Sequence, residues 1–325
     1  MTQRRVSVFG RFLDLVRTER LIPRGSRVLV AVSGGLDSVC LLDLVLAARG
    51  RLGFEVRGFH LDHRLRPESA ADARFVRELF ARRGVEARVG RADVAGHARR
   101  RRLGIEEAAR EIRYRRMERE ARATGCDRVA LGHTADDNLE TQLLNLVRGS
   151  GPRGLAGIPV RRGRFIRPLL DIERRELLDY ARARCLEWVE DASNSDPAFR
   201  RNRLRLQVVP VLKELNPAAA HAARRAAALL AGEDGYLDAR AALALDRCAG
   251  RGRGRVVIDL NDWASYSVVL RRRMMRLLVP GLDADAVEQA LRLMGRRTDG
   301  RLPLGRGAEL ARRGDRAEIQ TRGKE

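Results

Sequence analysis

Cysteine and aromatic residues are scarce in this chain of 325 residues. The four cysteines, Cys40, Cys126, Cys185 and Cys248, lie far apart without a CxxC pair, which argues against a disulfide framework and against a zinc or iron–sulfur site. Aromatic residues make up only 4% of the chain. No apolar run approaches the roughly 20 residues of a membrane helix, and the N-terminus lacks a signal-peptide core. We therefore predict no membrane association and a cytoplasmic location.

Acidic residues are outnumbered by basic ones, and lysine is almost absent. The formal net charge is +22, and Lys213 and Lys324 are the only lysines among 65 basic residues. A positive field of this strength attracts polyanions and favours nucleic acid as a partner. A compositional drift toward arginine accounts for part of the excess. Because aromatic platforms for base stacking are few, we expect recognition of RNA backbone and shape rather than coating of a single strand.

Apolar runs of strand length alternate with helical periodicity over the first two thirds of the chain. The runs are 27–32, 55–61, 86–89, 128–131 and 165–169, and the helical segments are 6–18, 38–48, 68–82, 105–123 and 136–147. This alternation predicts an α/β fold, a Rossmann-like parallel sheet with helices on both faces.

The sequence changes character near Asn216, where an alanine-rich helical region begins. A β-like segment at 255–260 and helical segments at 266–278 and 284–294 follow. We predict a catalytic domain over 1–215 and a smaller, mainly α-helical, RNA-contacting domain over 216–325. Its arginine- and glycine-rich end is expected to pack loosely, with a small hairpin at 308–320 as the alternative.

An anion-binding loop is predicted within 28–46, VLVAVSGGLDSVCLLDLVL, where the first strand ends and a helix begins. Ser33, Gly34, Gly35 and Ser38 bring backbone N–H groups, hydroxyls and a helix N-terminus to one place, which suits pyrophosphate. A carboxylate beside phosphates needs a cation between them, so we assign Asp37 to Mg²⁺. A plain glycine turn is the alternative. The lysine of a Walker loop is missing.

The motif S-G-G-x-D-S after a buried strand resembles the PP-loop of the ATP pyrophosphatases, which split ATP into AMP and pyrophosphate. The resemblance implies an adenine nucleotide alpha hydrolase-like domain, ATP as a substrate and a loop that holds the leaving pyrophosphate. It also accounts for the missing lysine, which is not part of the pattern of this family.

Further segments resemble the tRNA(Ile)-lysidine synthases over residues 27 to about 206: FHLDHRLRPESAADA, EEAAREIRYRRM, LGHTADDNLETQLLNLVRGSGPRGLAGI, RPLL and WVEDASNSDPAFRRNRLR. The resemblance implies adenylation of the wobble cytidine of a tRNA(Ile) with a CAU anticodon, followed by attack of free L-lysine. Two positions depart from the usual pattern, Arg64 in place of glycine and Asn138 in place of glutamine. Family members are often dimeric, so a homodimer is allowed. Longer members have a further C-terminal domain, before which we expect this chain to end.

The segment GHTADDNLET predicts the groups that handle the nucleophile. The side-chain amine of free lysine has an ordinary pKa of about 10.4, so a carboxylate has to bind it and help to remove a proton. We predict Glu140 as a second magnesium ligand facing Asp37, and Asp137 with His133 as lysine-binding and proton-handling groups. The roles of Asp136, Asp137 and Glu140 are interchangeable at this stage. The alternative is that they only cap the helix.

The resemblance supplies the remaining candidate residues. Asp62 and His63 fall where the family binds the adenosine part of ATP. Arg113 is predicted to contact a phosphate or the substrate, with Arg110 as a weaker candidate. Arg205 is predicted to contact the lysine carboxylate or the reacting nucleotide.

Two further segments are predicted to act on the RNA. The glycine-rich segment 148–158 is expected to be a flexible loop that closes over the site, with a plain connector as the alternative. Arginines 99–102 are expected to contact the tRNA backbone. A zinc site formed by His60, His63 and His133 lacks metal-ligand spacing and a cysteine partner.

Three other functions compete with this interpretation. A PP-loop tRNA thiolase would normally need paired cysteines, and a glutamine-dependent synthetase would need a glutaminase domain, which we do not find. A catalytically dead tRNA-binding homologue would not need the intact set of polar residues Ser33, Asp37, Ser38, Asp137 and Glu140.

Overall fold

The computed structural model describes residues 7–63, 69–190, 200–252, 254–305 and 307–321. The chain divides into two compact units, Met1–Ala228 and Leu229–Glu325. The division falls inside one uninterrupted helix, Ala219–Cys248, whereas the sequence predicts a boundary near Asn216. Asn216 instead caps the end of the preceding helix. A change of composition therefore marks a helix end, while the division itself has no linker to mark it.

The first unit is built from short strands and the helices that follow them. Its strands are β1 (Arg27–Ala31), β2 (Glu55–Asp62), β3 (Ala87–Arg91), β4 (Arg128–Ala130), β5 (Arg161–Arg162) and β6 (Phe165–Ile166). Its helices are α1 (Val8–Thr18), α2 (Leu36–Leu52), α3 (Ser69–Arg82), α4 (Val94–Arg101), α5 (Ile105–Ala123), α6 (Ala135–Val147), α7 (Pro152–Leu155), α8 (Arg174–Ala183), α9 (Arg200–Arg203) and α10 (Val209–Leu215), with a π-helical stretch Leu204–Val208 before α10. α11 (Ala219–Cys248) follows.

The strands form one sheet in the order β3-β2-β1-β4-β6-β5, and every pairing is parallel except that of β5 with β6. Side chains of β1 alternate between two cores, as a strand requires. Val28 and Val30 face a core completed by α1, α2, α3 and α8, whereas Leu29 faces a core completed by α4 and α5. The predicted α/β sheet with helices on both faces is thus confirmed.

The order of the sheet sets the position of the site. β1 lies between β2 and β4, so the connections that follow these strands run to opposite sides of β1. In open α/β sheets, ligands bind in the crevice that forms at the carboxyl ends of the strands at such a point. The loops after β1, β2 and β4 carry residues 32–35, 63 and 131–134, which include five of the predicted site residues: Ser33, Gly34, Gly35, His63 and His133.

The second unit contains more strand than the sequence predicts. Its sheet has the order β7-β8-β11-β10-β9 and is antiparallel: β7 (Ala249–Gly252), β8 (Arg255–Asp259), β9 (Gly300–Gly305), β10 (Ala308–Arg313) and β11 (Arg316–Thr321). Helices α12 (Leu260–Ala264), α13 (Val268–Leu278) and α14 (Ala284–Gly295) accompany it.

The end of the described chain is well packed. The predicted hairpin at 308–320 is confirmed as β10 and β11, where Leu310 pairs with Ile319. Leu310 and Ala317 are fully buried, so the expectation of loose packing is wrong for this segment. Within the described ranges, no helix has both the length and the apolar character needed to cross a membrane.

Candidate active site

The loop after β1 directs several N–H groups toward one point. The backbone N–H groups of Ser33 and Gly34 donate to the Ser38 hydroxyl at 3.1 and 3.2 Å, and that hydroxyl donates to the Gly35 carbonyl at 2.9 Å. Gly34 has φ +98°, and a Cβ there would lie 3.2 Å from a methyl group of Val76. Both the positive φ and the nearby methyl group favour glycine at this position. The N–H groups that converge here suit an anionic oxygen.

Asp37 lies in the first turn of α2, directly behind this loop. Its Oδ2 accepts from Arg174 Nη1 at 2.7 Å, whereas its buried Oδ1 has no hydrogen-bond partner among the described residues. Burial, together with the nearby Asp137, raises the pKa of Asp37 to about 6 despite Arg174. A buried carboxylate oxygen without a donor is the kind of group that a divalent cation satisfies.

β4 approaches the loop closely and so brings α6 to it. A Cβ on Gly132 would lie 3.2 Å from the backbone carbon and oxygen of Asp37, so a larger residue would push the two segments a few tenths of an ångström apart. Two residues later, Thr134 caps α6 in a reciprocal arrangement with Asp137. Asp137 Oδ2 accepts from the Thr134 N–H at 2.8 Å and from its hydroxyl at 3.0 Å. The capping alternative is therefore correct for one oxygen of Asp137.

The other oxygen of Asp137 and both oxygens of Glu140 accept from two arginines. Arg201 Nη2 lies 2.9 Å from Asp137 Oδ1, and Arg201 Nε lies 2.6 Å from Glu140 Oε2. Arg205 Nε lies 2.6 Å from Glu140 Oε1. Glu140 is 1% exposed. Arg205, four residues after Arg201, lies in the π-helical stretch, a distortion that occurs often at functional sites.

Burial alone would raise the pKa of Asp137, but Arg201, His133, the Thr134 backbone and Arg205 together hold it below its ordinary value. Asp137 is thus an anion at neutral pH, facing a guanidinium. Among the described residues, no group of three or more His, Cys, Asp or Glu side chains is arranged to hold a metal ion. The role of Glu140 as a metal ligand stays a prediction, since both its oxygens are engaged by arginines.

Asp136 faces away from these two carboxylates. It accepts from Lys213 Nζ at 2.6 Å and from the Arg174 backbone N–H at 2.7 Å. Lys213 also contacts Glu173 at 2.9 Å. Asp136 therefore joins α6 to α8 and α10, which separates it from Asp137 and Glu140.

The histidines of the site are neutral at pH 7. Burial and the nearby Arg113 lower the pKa of His63 to about 4. Burial lowers the pKa of His133, with Arg167 and Arg113 acting in the same direction and Asp137 opposing it. The Nδ1 atoms of His63 and His133 are buried and have no hydrogen-bond partner in the described structure. Each is free to bond a ligand.

His60 and Asp62 lie on β2, below His63. The Nδ1 of His60 bonds the Val32 carbonyl at 2.8 Å, and burial lowers its pKa. Asp62 is buried at the end of the strand, where its backbone carbonyl accepts from Ala92. His60 therefore packs beneath the site.

Arg113 is exposed and approaches both site histidines, whereas Arg110 stacks over the Tyr114 ring at 5.2 Å. Arg167, from the predicted RPLL motif, is 3% exposed and donates to the Pro159 carbonyl at 2.7 Å. The arrangement brings Arg113 to the site and gives Arg110 a packing role.

The glycine-rich segment after α6 contains the short helix α7. Asn145 donates to the Gly154 carbonyl at 2.8 Å, and Gln142 donates to the Leu155 carbonyl at 2.7 Å. Asn138 is fully buried and accepts from the Ile158 N–H at 2.8 Å. These bonds tie the segment to α6, so the connector alternative describes it better than a flexible loop does.

Two arginines of the site were not predicted. Arg201 lies within the motif RRNRLR, in which only Arg205 is predicted to act at the site. Arg174 follows no recognisable motif, and its partner Asp37 lies 137 positions earlier. Residues 64–68 and 191–199, which include Arg64 and the whole DASNSDPAF segment, lie outside the described residues.

Comparison with known proteins agrees with this geometry. A family model described as PP-loop domain matches residues 9–212. The tRNA(Ile)-lysidine synthase of Solibacter usitatus is 38% identical over 305 residues, covering 87% of this chain and 63% of that protein. The one of Thermobifida fusca is 39% identical over 275 residues, covering 83% of this chain and 82% of that protein. The one of Deinococcus radiodurans is 46% identical over 218 residues, but the match spans only 36% of its length.

Among solved structures, the U34-tRNA thiolase NcsA of Methanococcus maripaludis, determined with its 4Fe–4S cluster, superposes with a TM-score of 0.57. The match covers 68% of this chain and 77% of the thiolase, at 18% identity. At this identity the likeness concerns the fold alone.

Proposed function

Because this chain belongs to the PP-loop family and, within it, to the tRNA(Ile)-lysidine synthases, we propose that it converts the wobble cytidine of a CAU-anticodon tRNA(Ile) to lysidine. Its substrates are the tRNA, ATP and free L-lysine, and it releases AMP and pyrophosphate. We expect the protein in the cytoplasm, where these substrates occur. The homodimer stays a prediction.

In the first step, the carbonyl oxygen on carbon-2 of the cytidine attacks the α-phosphorus of ATP. The bond between the α- and β-phosphates breaks, and pyrophosphate leaves with the electron pair. The proposal assigns this pyrophosphate to the N–H groups of the loop formed by Ser33, Gly34 and Gly35, at the N-terminus of α2. Asp62 and His63 are assigned to the adenosine part.

Asp37 suits a magnesium ion, since its buried Oδ1 lacks a donor among the described residues and magnesium prefers oxygen ligands. A magnesium ion held by Asp37 would supply positive charge that offsets the negative charge of the phosphates. Glu140 is the predicted second ligand. For Glu140 to bind the ion, its contact with Arg201 or with Arg205 would have to be replaced by a contact with the metal.

In the second step, the side-chain amine of lysine attacks carbon-2, the carbon–oxygen bond to AMP breaks, and AMP leaves with the electrons. The observation that carries the proposal is that the buried Glu140 and the half-buried Asp137 together bind two guanidinium groups. A site that binds these cations has the charge needed for a lysine ammonium group. We assign the amine to Asp137, and the lysine carboxylate or the nucleotide to Arg113 and Arg205.

The amine has to lose a proton before it can attack. Asp137 has a lowered pKa and His133 has a lowered pKa, so both are weak bases. Their electrostatics support binding of the amine more strongly than removal of its proton. Proton transfer through His133 stays a prediction.

The experiment incubates the protein with ATP, magnesium, labelled lysine and a tRNA(Ile) transcript bearing a CAU anticodon, then digests the RNA. Labelled lysidine, with AMP and pyrophosphate released in equal amounts, is the expected result. A transcript with a GAU anticodon is the matched control, because it lacks the wobble cytidine. Release of pyrophosphate without lysine incorporation would overturn the assignment of the nucleophile and favour a thiolase.

A further inference from the structure

A basic cavity lies between α4 and α5, outside the site described above. Its volume is about 340 Å³, within the usual range for small-ligand pockets. Four arginines line it, together with His97 and Asp93: Arg100 from α4, and Arg115, Arg116 and Arg119 from α5. Ile112 and Ala92 form its floor, because both belong to the core on this face of the sheet.

Little negative charge opposes these arginines. Asp93 is occupied as the cap of α4, where its Oδ1 accepts from the Gly96 N–H at 2.8 Å. Glu111 is shared between Arg101 at 3.4 Å, His97 at 3.3 Å and Arg115 at 3.7 Å.

The other three arginines, Arg100, Arg116 and Arg119, have no carboxylate partner within the described parts of the chain. On the same helix, by contrast, Arg122 pairs with Glu118 at 3.1 Å. The cavity therefore concentrates positive charge that the protein does not neutralise itself. Guanidinium groups match the geometry of phosphate oxygens and bond them in pairs.

The cavity is close to the candidate active site along α5. Arg113 of that helix approaches His63 and His133 closely enough to lower their pKa values. At a rise of about 1.5 Å per residue, Arg116 and Arg119 lie roughly 4.5 and 9 Å further along the helix axis. This part of α5 therefore lies within reach of a phosphate that neighbours a base bound in the site.

We propose that the α4–α5 cavity binds a backbone phosphate of the tRNA, next to the nucleotide that enters the active site. The identity of the RNA rests on the proposed function, whereas the phosphate chemistry rests on the cavity. Free pyrophosphate offers the same oxygens, so the test separates it from the polynucleotide.

The test measures binding of a CAU-anticodon tRNA(Ile) transcript by fluorescence anisotropy at several salt concentrations. The full chain is compared with Arg116→Gln/Arg119→Gln. We expect the variant to bind on the order of tenfold more weakly. The slope of log affinity against log salt is expected to become shallower by about 0.7 for each phosphate that the variant no longer binds.

A matched control is Arg49→Gln/Arg82→Gln, which removes the same charge from exposed arginines at the C-terminal ends of α2 and α3. These helices pack on the opposite face of the sheet. The control is expected to keep the wild-type salt slope. Equal slopes for the two variants would overturn the proposal.

Two further arms keep the outcomes distinct. If the wild type binds tRNA in this way but forms no lysidine, the proposed function fails and the cavity assignment stands. Added pyrophosphate is also tested as an inhibitor of lysidine formation. If the cavity variant keeps its tRNA affinity but is no longer inhibited by pyrophosphate, the cavity binds the free anion and the proposal is overturned. Arg100→Gln, on the other helix, gives a second test should the double variant fold poorly.

Discussion

Arg201 joins two carboxylates of the candidate site, with its Nη2 2.9 Å from Asp137 Oδ1 and its Nε 2.6 Å from Glu140 Oε2. Under the proposed function, the lysine amine needs one of these oxygens. The protein thus already places a cation where the proposal puts the nucleophile. This relationship links the charge of the site to its chemistry.

Arg201→Gln is expected to raise the pKa of Asp137, because Arg201 is the foremost positive group that lowers it. The acid limb of the profile of kcat/KM for lysine against pH should then move to higher pH. Arg203→Gln is the control, since Arg203 lies in the same helical turn and its guanidinium bonds Gln207 rather than a site carboxylate. An identical acid limb in both variants would contradict the assignment of Asp137 to the amine.

Asp37→Ala is expected to abolish release of pyrophosphate and formation of lysidine while leaving tRNA affinity nearly unchanged. Under the proposed function, Asp37 acts on the nucleotide and its metal, whereas exposed arginines hold the RNA. Turnover and anisotropy are measured on the same preparation. Equal loss of both would refute this division of labour between the metal site and the basic surface.

The protonation of Asp37 should also affect stability. Its pKa is raised from about 3.8 to about 6, so between these values the folded state holds more protons than the unfolded state, and stability falls as pH rises. Asp37→Asn, which removes the charge, should raise the free energy of unfolding at pH 7.5 by up to about 3 kcal/mol.

Urea unfolding without magnesium, at pH 3.5 and pH 7.5, tests the Asp37→Asn prediction. The gain is expected at the higher pH and should nearly vanish at the lower one, where the carboxyl is mostly protonated in both states. Asp14→Asn, an exposed change on α1, serves as the reference. A gain of equal size at both pH values would mean that Asp37 is not the titrating group.

Lys213 holds Asp136 and Glu173 together, and its removal should leave two carboxylates close to each other. Lys213→Met is expected to lower the free energy of unfolding by about 1 to 3 kcal/mol, less than a fully buried pair would lose, because the lysine is partly exposed. Thermal unfolding of Lys213→Met and of Lys213→Met/Glu173→Gln measures this. The double variant should recover part of the loss, and no recovery would show that repulsion is not the cause.

The strands and helices around the site could be predicted because their signals are local. The predicted helix 105–123 matches α5 (Ile105–Ala123), and the run 27–32 matches β1 (Arg27–Ala31) to within one residue. That a carboxylate of the segment GHTADDNLET caps α6, as Asp137 does, also follows from spacing alone. Which arginines contact these carboxylates does not follow from spacing.

Arg174 and Arg201 contact carboxylates that lie 137 and 61 positions earlier in the chain. Arginine is so frequent in this sequence that no single one stands out by type. The edge strands of the second unit escaped prediction for a different reason. β7 (Ala249–Gly252) is rich in glycine and lacks the apolar alternation that predicts a half-buried strand, and in β9 (Gly300–Gly305) Pro303 interrupts the short run.

The beginning of α11 supports the helix that carries the candidate catalytic carboxylates. Ala220 of α11 and Val209 of α10 form a small core with Ala135 and Leu139 of α6. A fragment truncated after residue 215, where the composition changes, would remove Ala220 and open the underside of α6. A fragment truncated after 228 would retain that contact, so the useful site for dissecting this protein lies within a helix, where a designer of expression fragments would normally avoid cutting.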